Sequence, residues 1–496
     1  MPALQWQRTI IDRRKPFPQI RYGHASTTTN DGTHMLVHGG YNNHLTPSWF
    51  HDLWMLQPEQ SNSNLEQTQQ PQAITTWVWS RLDTTKEQPK PSARYSHTLV
   101  GLANQPIFYL FGGDDGGHQQ HPQSYEMGAY LNDVWRFELT RDEQHKGDYG
   151  GRWMKMSFDT GPTPRTSHSA VVIQASMFVF GGLTTTKTTT KTTTKTTTKT
   201  TTKTTLVVAN NELWAMAMAT ESNVAQWTLV APYFNGEEPG EDESSLQQPQ
   251  ARYGHTAAAA GTSMYVFGGK GKSRKSTVLF NDLWSFHSNT TRWTLLHNKG
   301  HRPVGLLYGT MSSMLVGLDQ TRVLVLYGGA SGCSNRCFTE SKTWVFDVLQ
   351  KAWSVLDTGT DTGTPVSRKS DAQPIQPMHR YRHAMATLRL PSTTITGEGE
   401  DSMVQVVFGG ETYGEIEKYR NDVWVLHNVL PQSGGEGGVT LLVGDHGTSG
   451  RSSLIRPHLT TLAGVAVLLV CLLVRCCGSR CRTKTSSFHL SYPGKK

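Results

Sequence analysis

The 496-residue sequence has only six cysteines, so it is not a disulfide-dense mini-scaffold. Its 47 glycines show no period of three, which excludes a collagen-like chain. The segment Met1 to Arg8 lacks the apolar run of a secretory signal. Apolar residues make up 36%, low for a globular chain, so polar insertions dilute the folded part. No phosphate loop, zinc motif or Gly-x-Ser-x-Gly elbow is present, and no cofactor or metal is expected. A basic surface is lacking as well. The net charge of +8 comes from two short segments without acids: 184–205, with five lysines, and 475–496, with six Lys or Arg. The rest carries 36 basic against 39 acidic residues, so nucleic acid is not expected as a partner.

What is abundant is self-similarity. A short apolar run ending in Gly-Gly occurs six times, at Gly39-Gly40, Gly112-Gly113, Gly181-Gly182, Gly268-Gly269, Gly328-Gly329 and Gly409-Gly410. Each run has the Val, Phe, Leu and Tyr content of a buried strand. Upstream stands an Arg with a His three residues on: Arg21 and His24, Arg94 and His97, Arg165 and His168, Arg252 and His255, Arg380 and His383. The fifth copy departs, with Leu307 and Thr310 in those places. Downstream comes an acidic-apolar-Trp triplet ending at Trp54, Trp135, Trp214, Trp284 and Trp424, degenerate in the fifth copy as Lys342-Thr343-Trp344. A second Trp follows: Trp77 or Trp79, Trp153, Trp227, Trp293 and Trp353.

These coordinated motifs resemble the Kelch repeat, in the long-loop form also found in galactose oxidase. The resemblance covers 4–429. It implies an all-β chain: a six-bladed β-propeller with four antiparallel strands, A to D, per blade. The sixth copy lacks a second Trp, and Trp6 stands alone near the N-terminus, so an N-terminal strand is expected to complete the last blade. Closure removes exposed sheet edges. Because the Arg, His and diglycine positions recur, they read as structural hydrogen-bonding and packing elements. The paired tryptophans read as packing between blades.

The diglycine spacings of 73, 69, 87, 60 and 81 residues exceed the roughly 50 of a kelch repeat. The excess falls in B–C connections (41–51, 114–131, 183–210, 270–280, 330–341, 411–420) and in D–A connections (81–92, 233–250, 357–379). The resemblance puts both sets on one face, where long loops on a rigid scaffold serve recognition. Candidate binding residues there are Tyr41, Asn42, His44, Asp114, Asp115, His118, Lys270, Lys272, Arg274 and Tyr413. The Thr-Thr-Thr-Lys tract of 184–205 is expected to be disordered.

Beyond the repeats, 430–453 reads as a Gly/Ser-rich linker. The segment 459–474 has no charged residue, and 454–474 is expected to be a single transmembrane helix, followed by a basic tail, 475–496. The tail's charge favours a luminal or extracellular propeller; the missing signal favours a tail-anchored, cytosolic one. Both remain open. Asn289, in Asn289-Thr290-Thr291, is a candidate glycosylation site, and Cys476, Cys477 and Cys481 are candidate lipidation sites. Cys333 and Cys337 form either a loop disulfide or two free thiols. The favoured function is a membrane-anchored scaffold that binds a protein partner through the long-loop face. A glycan-binding receptor is the alternative. A galactose-oxidase-like enzyme is least favoured, because Cys333 and Cys337 are the only cysteines before the apolar segment and no copper set is evident.

Overall fold

The computed structural model describes residues 3–43, 47–59, 76–82, 89–117, 130–142, 148–193, 199–218, 222–233, 247–273, 276–296, 301–317, 319–332, 338–356, 376–390, 402–412 and 420–429. Candidates His44, His118, Arg274, Tyr413, Cys333, Cys337, Cys476, Cys477 and Cys481 lie outside them, as do the linker, the apolar segment and the tail. Among the described residues there is no helix, so none is long and apolar enough to cross a membrane.

Each diglycine run is the second strand of an antiparallel meander. Sheet 1 holds Ala25–Thr28, Met35–His38, Leu53–Pro58 and Thr76–Arg81, with Ile10–Ile11 added in parallel at its edge. Sheet 2 holds Thr98–Gly101, Ile107–Asp114, Tyr130–Asp142 and Asp148–Met156; sheet 3, Ser169–Ile173, Ser176–Phe180, Leu213–Ala217 and Gln226–Ala231. Sheet 4 holds Thr256–Ala260, Ser263–Phe267, Leu283–His287 and Arg292–Leu296; sheet 5, Thr310–Val316, Thr321–Tyr327, Thr343–Asp347 and Ala352–Val355. Sheet 6 holds Ala384–Leu390, Ser402–Phe408 and Val423–Val429, and its fourth strand is Ala3–Arg8 from the N-terminus, with Trp6 opposite Leu426.

Apolar clusters fill the spaces between consecutive sheets, and one joins sheet 6 to sheet 1. The second Trp of each sheet stacks on the aromatic residue before the diglycine of the preceding sheet. Ring centroids are 5.4 Å apart for Trp153 and His38, 5.2 Å for Trp227 and Phe111, and 5.0 Å for Trp293 and Phe180. They are 5.5 Å apart for Trp353 and Phe267, 5.2 Å for Trp6 and Tyr327, and 4.7 Å for Trp79 and Phe408. Trp79, not Trp77, therefore takes this role in sheet 1.

The repeated Arg is fully buried and fully satisfied. Arg94 donates to both oxygens of Asp133 at 2.6 and 2.9 Å, to the Gly112 carbonyl at 3.1 Å and to the Ser92 carbonyl at 3.0 Å. Trp135 Nε1 donates to the same carboxylate at 2.7 Å. Arg21–Asp52, Arg252–Asp282 and Arg380–Asp422 repeat the arrangement, and Arg165 donates to a single oxygen of Glu212 at 2.7 Å. A buried ion pair of this kind is sustained only by such extra hydrogen bonds. The repeated His packs its ring against the first diglycine residue of the preceding repeat. At the ring's seam, a methyl on Gly409 would lie 2.7 Å from His24 Cε1 and 3.0 Å from the Arg21 carbonyl oxygen. With φ at 70°, only glycine suits that position.

Two expectations change. In the fifth repeat, Tyr308 and not Gly309 has the positive φ shared by Gly23, Ser96, Ser167, Gly254 and Arg382. The motif therefore sits one residue earlier: Leu306 takes the Arg place and Gly309 the His place, as Leu306 accepts from Gly269 N where Arg94 accepts from Gly40 N. The 184–205 tract was expected to be disordered, and its described residues, 184–193 and 199–205, are instead paired. Leu183–Thr193 and Lys199–Ala209 form an antiparallel hairpin, tied to the body by Arg165–Thr166. Threonine is β-branched and favours extended backbone, and Leu206 to Val208 give the hairpin an apolar base.

Candidate binding face

The residue after each repeated Arg forms a backbone bridge to the residue just past the diglycine of its own repeat. These pairs are Tyr22 with Tyr41, Tyr95 with Asp114, Tyr253 with Lys270 and Tyr381 with Glu411. The post-diglycine connections and the segments entering strand A thus meet at one end of the sheets. The next motif position closes a circle of backbone hydrogen bonds. Gly23 N donates to Arg382 O at 2.8 Å, Ser96 N to Gly23 O at 2.7 Å, and Ser167 N to Ser96 O at 3.0 Å. Gly254 N donates to Ser167 O at 2.9 Å, Tyr308 N to Gly254 O at 2.7 Å, and Arg382 N to Tyr308 O at 2.9 Å.

Tyrosines surround this circle. Tyr41 lies 5.4 Å from Tyr22, 5.8 Å from Tyr95 and 4.1 Å from Trp49, between ring centroids. Within the circle, Arg382 stacks its guanidinium 4.2 Å from the Tyr308 ring centre and 5.5 Å from that of Tyr22. Its Nε is buried and makes no hydrogen bond among the described residues. Burial opposes its charge, while Tyr308, Tyr95 and Tyr22 together hold its pKa above the ordinary value. The Tyr95 hydroxyl donates to Asp114 Oδ2 at 3.3 Å, and Gly116 N donates to Asp114 Oδ1 at 2.8 Å. Burial raises the Asp114 carboxyl, burial and then Asp114 raise Tyr95, and burial pushes Tyr130 up to about 12. All these hydroxyls stay protonated at neutral pH and can donate hydrogen bonds. Such a mouth offers one cation, the Asp114 carboxyl, a rim of neutral donors and aromatic surface.

Of the candidates read from sequence, Tyr41 and Asp114 stand at this mouth. Asn42 pairs with Ser48, and Asp115 accepts from Gly117 N at 3.1 Å in a local turn. Lys270 is half-buried and Lys272 exposed on the hairpin of Lys270–Ser273 and Ser276–Leu279. Asn289 is exposed in the turn after Leu283–His287. The sequence reading passed over Tyr22, Tyr95, Tyr130, Tyr308 and Arg382. The signal was there: Gly, Ser, Ser, Gly and then Arg occupy one repeated position. Among the described residues, no three His, Cys, Asp or Glu converge as a metal-binding group.

Human host cell factor 2 is 26% identical over 201 residues, covering 39% of this chain and 21% of that protein. The host cell factor homolog hcf-1 of Caenorhabditis elegans is 27% identical over 298 residues, covering 56% and 31%. The leucine-zipper-like transcriptional regulator 1 homolog of Drosophila melanogaster is 25% identical over 307 residues, covering 55% and 28%. The chain thus spans between 21% and 31% of these relatives' lengths. The solved structure of YjhT aligns with a TM-score of 0.46 at 13% identity, over 84% of this chain and 99% of that one. A family model, the KLHDC2/KLHL20/DRC7 Kelch-repeats domain, matches residues 1–146, 73–244 and 211–375. With the buried Arg–acid pairs, diglycine turns and stacked tryptophans already described, this match makes the chain a member of the Kelch-repeat family.

Proposed function

We propose that the chain is a six-bladed Kelch propeller that binds a protein partner through the long-loop face, with an anionic group of the partner received at Arg382. Six sheets, six filled interfaces and a closed circle of backbone bonds support the propeller. Arg382 carries the binding reading. Its guanidinium has no carboxylate within ion-pair distance among the described residues. A half-buried cation without a direct ion pair, with the Asp114 carboxyl only within electrostatic range, is an arrangement that an anionic ligand completes. The tyrosine rim supplies the rigid, amphipathic surface that binding sites favour. The apolar segment 454–474 supports attachment to a membrane, and the side on which the propeller lies follows from whichever targeting route the chain takes.

The test is a peptide-display selection against the purified chain, followed by affinity measurement with Arg382→Gln. Loss of an Arg–anion contact should weaken the selected peptides about tenfold or more, with the melting temperature kept. Equal affinity for both proteins would sink the reading. Selected ligands without acidic groups would sink it too.

A further inference from the structure

The mouth has a carboxylate as well as a cation, and the repeated scaffold does not call for it. Asp114 stands just past the diglycine of sheet 2, and Tyr41, Leu183, Lys270, Ala330 and Glu411 take that place in the other repeats. Asp114 is nevertheless buried, at 7% exposure. Its oxygens accept from Gly116 N at 2.8 Å and from the Tyr95 hydroxyl at 3.3 Å, and it makes no ion pair among the described residues. Burying a carboxylate on two hydrogen bonds costs stability, so a neutral side chain would serve the scaffold better. The backbone sets this acid close to Arg382. Asp114 and Tyr95 exchange backbone hydrogen bonds, both 3.0 Å long, and Ser96, the residue after Tyr95, is two steps from Arg382 in the circle. Arg382 acts electrostatically on Asp114, and Tyr95, whose hydroxyl holds Asp114, is one of the rings that act on Arg382. An anion seated on Arg382 therefore also meets the field of Asp114.

Resting on the Arg382 reading above, we propose that Asp114 is a specificity-determining residue of the mouth: it limits the group received at Arg382 to a single negative charge, a carboxylate, and rejects a phosphate. The charges of Arg382 and Asp114 sum to zero. A bound carboxylate leaves the mouth with one net negative charge. A phosphate, which carries about two near neutral pH, leaves it with two. The cost of holding net charge away from water rises steeply with that charge. The second charge also adds repulsion from Asp114, and the Tyr95 hydroxyl is already given to that carboxylate. Sites that hold phosphate are built from clusters of Arg, and here a single guanidinium stands beside an acid. A repulsive group placed against the wrong ligand is a common source of specificity. Phosphorylation of the partner at its anchoring position should therefore release it.

The test is binding of the purified full chain to three peptide arrays that differ only in a fixed central residue: Glu, Gln or phosphoserine. The Glu array should bind about tenfold or more tightly than the phosphoserine array, and Asp114→Asn should narrow that ratio about tenfold. Asn keeps the shape of the side chain and an acceptor for Gly116 N. Asp114→Ala repeats the measurement with the residue that the fifth repeat has there, and the melting temperature of each variant reads the fold separately. Phosphoserine peptides that bind the parent chain as tightly as Glu peptides would overturn the proposal. A preference for Glu that survives unchanged in both Asp114 variants would overturn it too, because the selectivity would then lie elsewhere. The Arg382 reading fails by a different sign: Glu and Gln peptides that bind alike, or a difference between them that Arg382→Gln leaves in place. In that case the role of Asp114 falls with it.

Discussion

Mild acid should unfold this protein, and the buried histidines set where. His24, His38, His97, His168, His255 and His383 are buried in the interfaces between sheets. Burial is the first cause of their lowered pKa, with the neighbouring Arg, or for His97 first His38, adding to it. For His24, His38 and His255 the value falls to about 3. In the unfolded chain each ring titrates near 6.5. Above that pH both states are neutral and the rings cost nothing. Below it the unfolded state takes up protons that the folded state refuses, so stability falls as pH drops from about 6.5 toward 3. At pH 5 each of the rings of His24, His38 and His255 costs about 2 kcal/mol, on the order of 6 kcal/mol for the three, and His97, His168 and His383 act in the same direction. That is comparable with the whole stability of a typical domain.

The assay is urea unfolding followed by tryptophan fluorescence, at intervals between about pH 7.5 and 5. The midpoint should fall steeply below pH 6.5, well before the ion-paired aspartates begin to protonate. A loss smaller than one ring's worth, about 2 kcal/mol, would refute the reasoning. His38→Phe offers a control. Phe111, Phe180, Phe267 and Phe408 hold the same strand position in other sheets, so the fold accepts Phe there. The variant should lose the contribution of His38, about 2 kcal/mol at pH 5, from the acid sensitivity.

Other outcomes follow from the same interfaces. His97, His168, His255 and His383 each reach a side chain of the preceding sheet: His38 at 3.0 Å, Thr98 at 3.0 Å, Ser169 at 2.9 Å and Thr310 at 2.6 Å. Among the described residues His24 has no such partner, because Ala384 stands where Thr98 and Ser169 stand. Ala384→Ser should therefore stabilise by about 1 kcal/mol, read as a raised urea midpoint. Arg94→Leu alone should cost about 3–5 kcal/mol by stranding Asp133, and Arg94→Leu with Asp133→Leu should recover much of it in a double-mutant cycle. Trp6→Ala should cost about 3–5 kcal/mol in thermal unfolding, since Trp6 packs on Tyr327 and donates to Thr343 Oγ1 at 2.8 Å across the interface of sheets 5 and 6.

Repetition made the scaffold legible. The Arg, the acid and the first Trp recur in the same order, the acid always two residues before the Trp, and together they are a single hydrogen-bonded unit in the structure. The stray Trp6 pointed to the strand that completes sheet 6, because every other sheet already had its second Trp. Two things escaped for physical reasons. Composition argued for disorder in 184–205, but β-branched residues with an apolar base pair readily, and composition alone does not register that. The offset in the fifth repeat escaped because both alignments match a degenerate motif. Backbone geometry separates them, through the positive φ of Tyr308. The tyrosine mouth was partly written in the repeats, where Tyr22, Tyr95, Tyr253 and Tyr381 follow the Arg and so read as scaffold, while Tyr130, Tyr308 and Arg382 depart from the repeat and carry no recurring signal.

The departures from the repeat are coordinated, and this bears on where the ligand goes. The fifth repeat has Leu306 for the Arg, Gly309 for the His and Lys342 for the acid, so no buried charge is left without its partner. The same repeat has Tyr308 where four others have Gly or Ser, and the next has Arg382 at that position. These are neighbours in the circle, joined by the Arg382 N to Tyr308 O bond and stacked at 4.2 Å. Both hold positive φ, which costs a non-glycine residue roughly 1 kcal/mol. A scaffold selected for stability alone would have Gly at both positions. Tyr308→Gly with Arg382→Gly should therefore fold at least as well as the parent, while binding of the selected partner is lost. Either single variant should lose most of the affinity, so the two losses should be far from additive in a double-mutant cycle. If the double variant is less stable than the parent by more than about 2 kcal/mol, the pair serves the scaffold, and the mouth has no claim to be a site.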